Sequence, residues 1–568
     1  MMKRLFILLL VIGVAGWLFF EGKPIASTTQ LQNGAPPVPV TVQQTPLTLP
    51  QVCGKSFVAH NLDFASGTRL REVNTYESNG AGVAVNDLDG DGQLDLVFAS
   101  VDGNSAILWN KGDFKFETQE LADPYTRAVA IVDVDGDGQP DIVFTHRSLE
   151  TLSYWHNQGP NVQPRFVKQT LPGVTTYAYS MAWADLNNDG VLDLVTGSYN
   201  IELQQRKVSE DEMEDKGGVV YYAHQGDKFV PQPLAQDAQA LSIGLVDLDG
   251  DGNLDVWVAN DFALQDQVWL HKPTNPQIRQ PEWQPAQPFA QTSHSTMSID
   301  WADLGNDGGL ALFTTDMNPY DISTENMARW LPMMNAMEKG AKHIEGDPQI
   351  MANVLQVRDS QGGWHNEAGR RGVDATGWSW ASKFGDLDND GFLDLYVANG
   401  MIAQNLFGYL NNGELIEENQ AFRNPGDGMF VPAPSWNLGS TRSGRGMVMA
   451  DLNNDGRLDI VVNNLRNSAQ LFENQLCGGS SLEVALQWPG SHNAAAIGAQ
   501  LELHTSRGVY RREVRASGGY LSGDPVRVHF GFPQDATLQS LHLQWPDGMA
   551  STVEQLTPQT QILATRAN

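Results

Sequence analysis

The chain is short of the side chains that most often do chemistry. There is no G-x-S-x-G, no H-E-x-x-H and no phosphate-cradling glycine loop, which removes the common hydrolase, metalloprotease and nucleotide-binding signatures. The twelve histidines are scattered. His60, His146, His156 and His224 sit in or beside expected strands and read as packed or surface residues. There are only two cysteines, Cys53 and Cys477. Positive charge is also scarce: 36 Lys and Arg stand against 67 Asp and Glu, a formal charge of −31. A surface this acidic repels phosphate backbones, so nucleic acid is excluded as a partner, and it attracts cations.

One long uncharged run exists, residues 5–20, preceded by Lys3 and Arg4. As a helix it spans roughly 24 Å, near the lower limit for crossing a bilayer, with the positive end cytoplasmic. Residues 1–21 are therefore read as an uncleaved anchor, with a cleaved signal peptide as the alternative. Both place the rest of the chain outside the cytoplasm, in the periplasm, at the cell surface or secreted. Residues 22–52, rich in Pro, Thr and Gln, read as a semi-extended spacer.

The abundant feature is an acidic phrase. It occurs as DLDGDGQLD at 87, DVDGDGQPD at 133, DLNNDGVLD at 185, DLDGDGNLD at 247, DLDNDGFLD at 386 and DLNNDGRLD at 451, with a decayed copy, DLGNDGGLA, at 303. Side-chain oxygens fall at positions 1, 3, 5 and 9, and position 7 offers its backbone carbonyl. The candidate ligand sets are Asp87, Asp89, Asp91, Gln93 and Asp95; Asp133, Asp135, Asp137, Gln139 and Asp141; Asp185, Asn187, Asp189, Val191 and Asp193; Asp247, Asp249, Asp251, Asn253 and Asp255; Asp386, Asp388, Asp390, Phe392 and Asp394; and Asp451, Asn453, Asp455, Arg457 and Asp459. An all-oxygen, flexible cage suits Ca²⁺; Mg²⁺ demands a tighter octahedron, and the lack of Cys and His disfavours zinc. About six calcium ions are expected. In the decayed copy, Gly305 and Ala311 stand at ligand positions, so it is expected to hold calcium weakly or not at all.

These loops are not EF-hands. Phe98, Phe144, Thr196 and Val258 occupy the twelfth position, where an EF-hand needs Glu, and β-branched runs follow instead of helices. Each cage therefore joins two strands. Seven units spaced 46 to 83 residues apart fit the blades of a seven-bladed β-propeller over residues 53–477. The last unit runs out after three strands, and the segment KSFVAH at 55–60 is free to supply the fourth. Cys53 and Cys477 fall at that seam, and a disulfide between them is expected, consistent with an oxidising compartment. Residues 478–568 alternate strands with Gly and Pro turns and read as a small β-sandwich-like domain, making the whole an all-β protein.

The acidic units resemble FG-GAP/VCBS repeats, as in the integrin α head. The tail resembles the ASPIC/UnbV domain through NAAAIGAQLEL (493–503), GGYLSG (518–523), HFGF (529–532) and WPDG (545–548). Propeller followed by tail is similar to the cartilage-acidic-protein-like family. The resemblance implies a calcium-stabilised exported protein that binds a protein or glycan, with no catalytic activity established for the family as a whole.

If the cages share one face, the long insertions at 200–216, 318–352 and 400–418 share the other, and gathered insertions usually mark a working surface. Tyr76, Arg127, Tyr179, His294, Trp378 and Arg445, just before the inner strands, are the candidates for that ligand face; Arg and aromatics anchor interfaces. A cap over the channel, or a partner-binding helix, is expected from residues 325–344. The alternative function is a carbohydrate-active hydrolase or lyase at the channel mouth, with Glu367 and Asp374 as carboxylates outside the cages.

Overall fold

The computed structural model describes residues 36–49, 53–262, 264–272, 281–340, 346–359 and 361–567. The expected anchor and most of the spacer lie outside the described residues. Among the described residues, no helix is long and apolar enough to cross a membrane.

Each acidic loop turns a short inner strand back on a second, and the two pair antiparallel. In blade one the strands are Val83–Asn86, Asp95–Phe98, Asn104–Asn110 and Phe116–Pro124, hydrogen-bonded in that order. The inner strands of blades two to seven are Thr126–Val132, Ser180–Ala184, Ala240–Val246, Ile299–Asp303, Gly377–Gly385 and Gly444–Ala450. Consecutive inner strands touch, and those of blades seven and one touch as well, so the ring of seven is closed. The first two strands of each blade are buried almost throughout because both faces of each sheet are covered by neighbouring blades.

Blade seven takes its outer strand from the other end of the propeller. Phe57–Ala65 pairs antiparallel with Ser468–Asn474, Phe57 opposite Asn474 and His60 opposite Leu471. Cys53 and Cys477 form the disulfide at this seam, their Cα atoms 4.9 Å apart.

The tail is a two-sheet sandwich. One sheet orders Val40–Pro46, Thr560–Arg566, Ser480–Gln487 and Val528–Phe532; the other orders Gly508–Glu513, Gln500–Thr505, Leu538–Gln544 and Ala550–Val553. Leu482, Val484, Leu501, Leu503, Phe530, Leu541, Leu543 and Ile562 fill the space between them. Part of the stretch read as spacer is thus a strand: Val40–Pro46 pairs antiparallel with Thr560–Arg566.

The tail sits on the face that carries the acidic loops. Arg527 donates to Gly92 O (3.0 Å), Gln559 Nε2 to Asp455 O (2.6 Å), and Asn493 N to Gly190 O (3.1 Å). From this seat the segment 515–524 runs into the channel. Gly519 N bonds Ile299 O and Gly523 N bonds Val83 O on inner strands of blades five and one. Tyr520, fully buried at its tip, donates to Asn79 O (2.7 Å) and shares a hydrogen bond with Tyr179 (2.9 Å). Lys383 and Asp524 pair beside it.

The insertions cover the opposite mouth. Helix Thr324–Gly340 drives Trp330 and Met333 into the buried cluster that includes Tyr199, Trp378 and Phe407. Trp330 lies 5.8 Å from Trp378, ring centre to ring centre.

Candidate metal centre

The loop conformation follows from its own sequence. Position 6 is glycine in all copies, and its φ is positive in each, from 80° at Gly456 to 95° at Gly391. Position 4 is also left-handed: Gly90, Gly136 and Gly250, or Asn188, Asn389 and Asn454, with Asn306 in the decayed copy. Gly and Asn are the residues that tolerate this region, so position 4 is as constrained as position 6.

The carboxylates then gather the loop's N–H groups. Asp87 accepts from Gly90 N and Gly92 N, and Asp91 from Gln93 N. Position 9 ties the loop to the rest of the blade: Asp95 accepts from Leu88 N (3.1 Å) and from Asn110 N at the end of the third strand (2.8 Å). The same two bonds recur at Asp141, Asp193, Asp255, Asp394 and Asp459. All six of these side chains are buried.

Several carboxylates therefore converge with few cations among them. Oxygens of Asp87, Asp89 and Asp95 lie within 4.8 Å of one another, as do those of Asp133, Asp135 and Asp141, of Asp247, Asp249 and Asp251, and of Asp386, Asp388 and Asp394. His156 joins Asp135 and Asp137 in a further group, so one histidine read as merely packed stands at the rim of a cage. Burial, reinforced by the neighbouring carboxylates, pushes Asp95 up to about 7, Asp133 to about 7, Asp141 to about 8 and Asp255 to about 7. Asp386, Asp394 and Asp459 are driven up for the same reason. Hydrogen bonds from N–H groups oppose this and lose. Hard oxygen donors crowded in this way fit a divalent cation, which relieves both the desolvation and the repulsion.

Side chains supply part of the compensation. Lys272 pairs with Asp249 and Asp251, Arg457 with Asp455 (2.9 Å), and Arg423 with Asp388 and Asp390 (2.6 Å each). In blade five, where Gly305 and Ala311 replace two donors, Asp303 faces Arg511 of the tail at 3.3 Å. The loop keeps its shape there: Asp307 N and Gly308 N still bond to Asp303.

An asparagine latch was not evident from the motif. Asn110, Asn157 and Asn474 end third strands and Asn424 directly follows one, and each Nδ2 donates to a loop carbonyl of its own blade and to the position-2 carbonyl of the preceding blade. Asn474, for example, reaches Leu458 O (3.0 Å) and Leu387 O (2.8 Å). The signal was the recurrent Asn two residues before a turn glycine, as in WNKG and HNQG, which reads equally well as turn chemistry.

Of the proposed ligand-face residues, Arg127, Tyr179, Trp378 and Arg445 are buried; Tyr76 and His294 are half-buried. Arg127 donates to Gly80 O, Tyr76 O and Glu202. Arg445 donates to Ser78 O and Gly400 O and stacks on Trp380. Tyr179 is held by Tyr520 of the tail, and Trp378 lies under Trp330. These four form the receptor for the plug and the seat for the cap, because the tail fills the channel they line. Glu367 is engaged by Arg370 and Arg371.

Family models for the FG-GAP-like repeat match residues 87–144, 133–196 and 407–462, and one for ASPIC and UnbV matches 489–568. The chain carries FG-GAP-like repeats followed by an ASPIC and UnbV domain. It is similar to cartilage acidic protein 1 of Xenopus tropicalis, 22% identical over 52% of this chain and 42% of the relative, and of Homo sapiens, 30% identical over 29% and 24%. The matches thus span less than half the length of either relative. Among solved structures it is similar to BBS1N in complex with ARL6DN (12% identity, 74% of this chain, 97% of that chain, TM-score 0.38) and to the Neurospora crassa Pan2 WD40 domain (8%, 75%, 98%, 0.38). The FG-GAP repeats of this chain form the blades, and the ASPIC/UnbV domain rides on their loops.

Proposed function

We propose that this protein is a calcium-loaded, exported binding module, held at the periplasmic or outer surface of a membrane by its N-terminal segment, that recognises a protein partner on the face opposite its metal loops. About six ions, one for each intact loop, neutralise the carboxylates and hold the blades in register. The surface that carries the binding reading lies outside the buried residues. Tyr320, Ile322, Leu331, Tyr409 and Ile416 are all exposed, Ile322 by 82%. Their segments are tied together: Tyr409 donates to Arg329 O (2.9 Å), Arg329 to Ile416 O (2.7 Å), and Glu418 N to Tyr320 (3.4 Å). An apolar patch built from two converging insertions, rimmed by exposed Asp321, Glu325 and Glu418, fits a partner with apolar anchors and basic flanks. A protein partner suits this patch better than a glycan, and the hydrolase alternative loses its site because segment 515–524 and the Thr324–Gly340 helix fill the channel mouths.

The test is capture from envelope extracts in calcium, comparing the natural protein with Leu331→Glu and Tyr409→Glu. Recovery of one partner by the natural protein and its loss from both variants supports the reading. Equal recovery by the variants, or recovery of glycan alone, contradicts it.

A further inference from the structure

The loops differ in how far the tail covers them. In blade one, Asp91 is exposed, and in blade two Asp135 and Asp137; in blade four, Asp251. A Cβ placed on Gly90, Gly92 or Gly138 would meet nothing within 4 Å. Blades six and seven are covered. In blade seven Asp451, Asp455 and Asp459 are buried, Ser481 and Gln559 of the tail close over Gly456, and Arg457 is paired to Asp455. In blade six the cover also isolates oxygens that have no partner. Asp386, Asn389 and Asp394 are buried there. Tail backbone lies directly on the loop: Gly479 N bonds Asp388 O (3.3 Å), and a Cβ on Gly478 would come within 1.9 Å of the same oxygen. A Cβ on Gly531 would stand 2.2 Å from Asp386 Oδ2, and the Tyr510 ring closes over Gly391. Asn306 of blade five bonds Gly391 O from the side (2.9 Å).

Inside this cover, two oxygens have no partner. Arg423 takes Asp388 Oδ2 and Asp390 Oδ2, leaving Asp388 Oδ1 unbonded, and Asn389 Oδ1 is likewise unbonded. Buried polar atoms are rarely left so without a ligand or ordered water. They lie beside the grouped carboxylates of Asp386, Asp388 and Asp394.

We propose that the ASPIC/UnbV domain is the lid of the blade-six metal site, so that this ion is trapped while those of blades one, two and four exchange freely with solvent. This rests on the calcium reading above. The trapped ion leaves only when the tail lifts, a sub-global opening far rarer than fraying of an exposed loop. The tail and the blade-six ion therefore hold each other: the ion fixes the loop backbone on which Gly478, Gly479 and Gly531 rest.

The experiment loads the full chain with calcium, transfers it to excess EGTA, and measures metal remaining per chain against time by atomic emission. The expected result is a fast phase followed by a slow phase, at least about tenfold slower, that contains the blade-six ion and, because the blade-seven loop is also buried, at most one more. One ion of that slow phase is absent in Asp388→Asn and leaves with the fast phase in Tyr510→Ala, which opens the cover without touching a ligand. Should Tyr510→Ala fail to fold, Tyr510→Leu, which keeps an apolar side chain but not the ring over Gly391, provides the same readout. A single release phase overturns the proposal, as does a slow phase undiminished by Asp388→Asn or by opening the cover. A natural protein that binds no calcium overturns the metal reading itself, a separate result.

Discussion

At Asp95, two backbone N–H groups favour the ionised carboxyl while burial and Asp89 and Asp87 oppose it, and the opposing side wins. With Asp141 at about 8 and Asp255 at about 7, the sign for the metal-free protein follows. A carboxyl whose folded value is raised binds its proton more tightly when folded. Its contribution is complete below about pH 4 and is lost as pH rises through 7 to 8. In EGTA, thermal melts should therefore show lower stability at pH 8 than at pH 5.5. Calcium, which binds the ionised form, should reverse that order. Asp89→Ala should lower the bound calcium by about one ion and lower the melting temperature, whereas Asp307→Ala should leave the stoichiometry unchanged, because blade five already balances Asp303 with Arg511. The carboxylate clusters were legible because donors recur at fixed offsets. The compensating Lys272, Arg423 and Arg511 were not, because each comes from a distant segment with no repeating spacing.

At the scale of the element, the closing strand was legible from a deficit: blade seven had three strands, and the only unassigned strand-like segment stood next to a cysteine. Cys477→Ser should cost up to about 4 kcal/mol, read from urea unfolding under oxidising and reducing conditions. The Asn latch is a second inter-element tie. Asn157→Ala removes the side-chain donor to Pro140 O and leaves Leu88 O with Arg165 alone, and should cost about 1–3 kcal/mol in the same assay. Strand Val40–Pro46 was hidden because its Pro- and Gln-rich sequence, PVPVTVQQTP, has little apolar content. It is a largely exposed edge strand, and its pairing with Thr560–Arg566 is set by the tail's own sheet, not by local preference.

For the molecule as a whole, the acidic excess is spent largely on one face, and the tail brings arginines to it: Arg511 to Asp303, Arg515 to Asp300, and Arg527 to the loop tips of blades one and seven. Which face the tail would choose was beyond the sequence, since docking depends on long-range complementarity. The same docking explains why four of the six ligand-face candidates are buried: GGYLSG is the channel plug, and Arg127, Tyr179 and Arg445 surround its tip. Tyr520→Phe removes the bonds to Asn79 O and Tyr179 and should cost about 1–3 kcal/mol, measured by chemical denaturation. The central claim is that intact loops hold calcium and the decayed one does not. A crystal structure grown in millimolar calcium, with anomalous data collected at long wavelength, tests this most directly. The account predicts peaks among the carboxylates of blades one, two, three, four, six and seven and none in blade five; empty intact loops would contradict it.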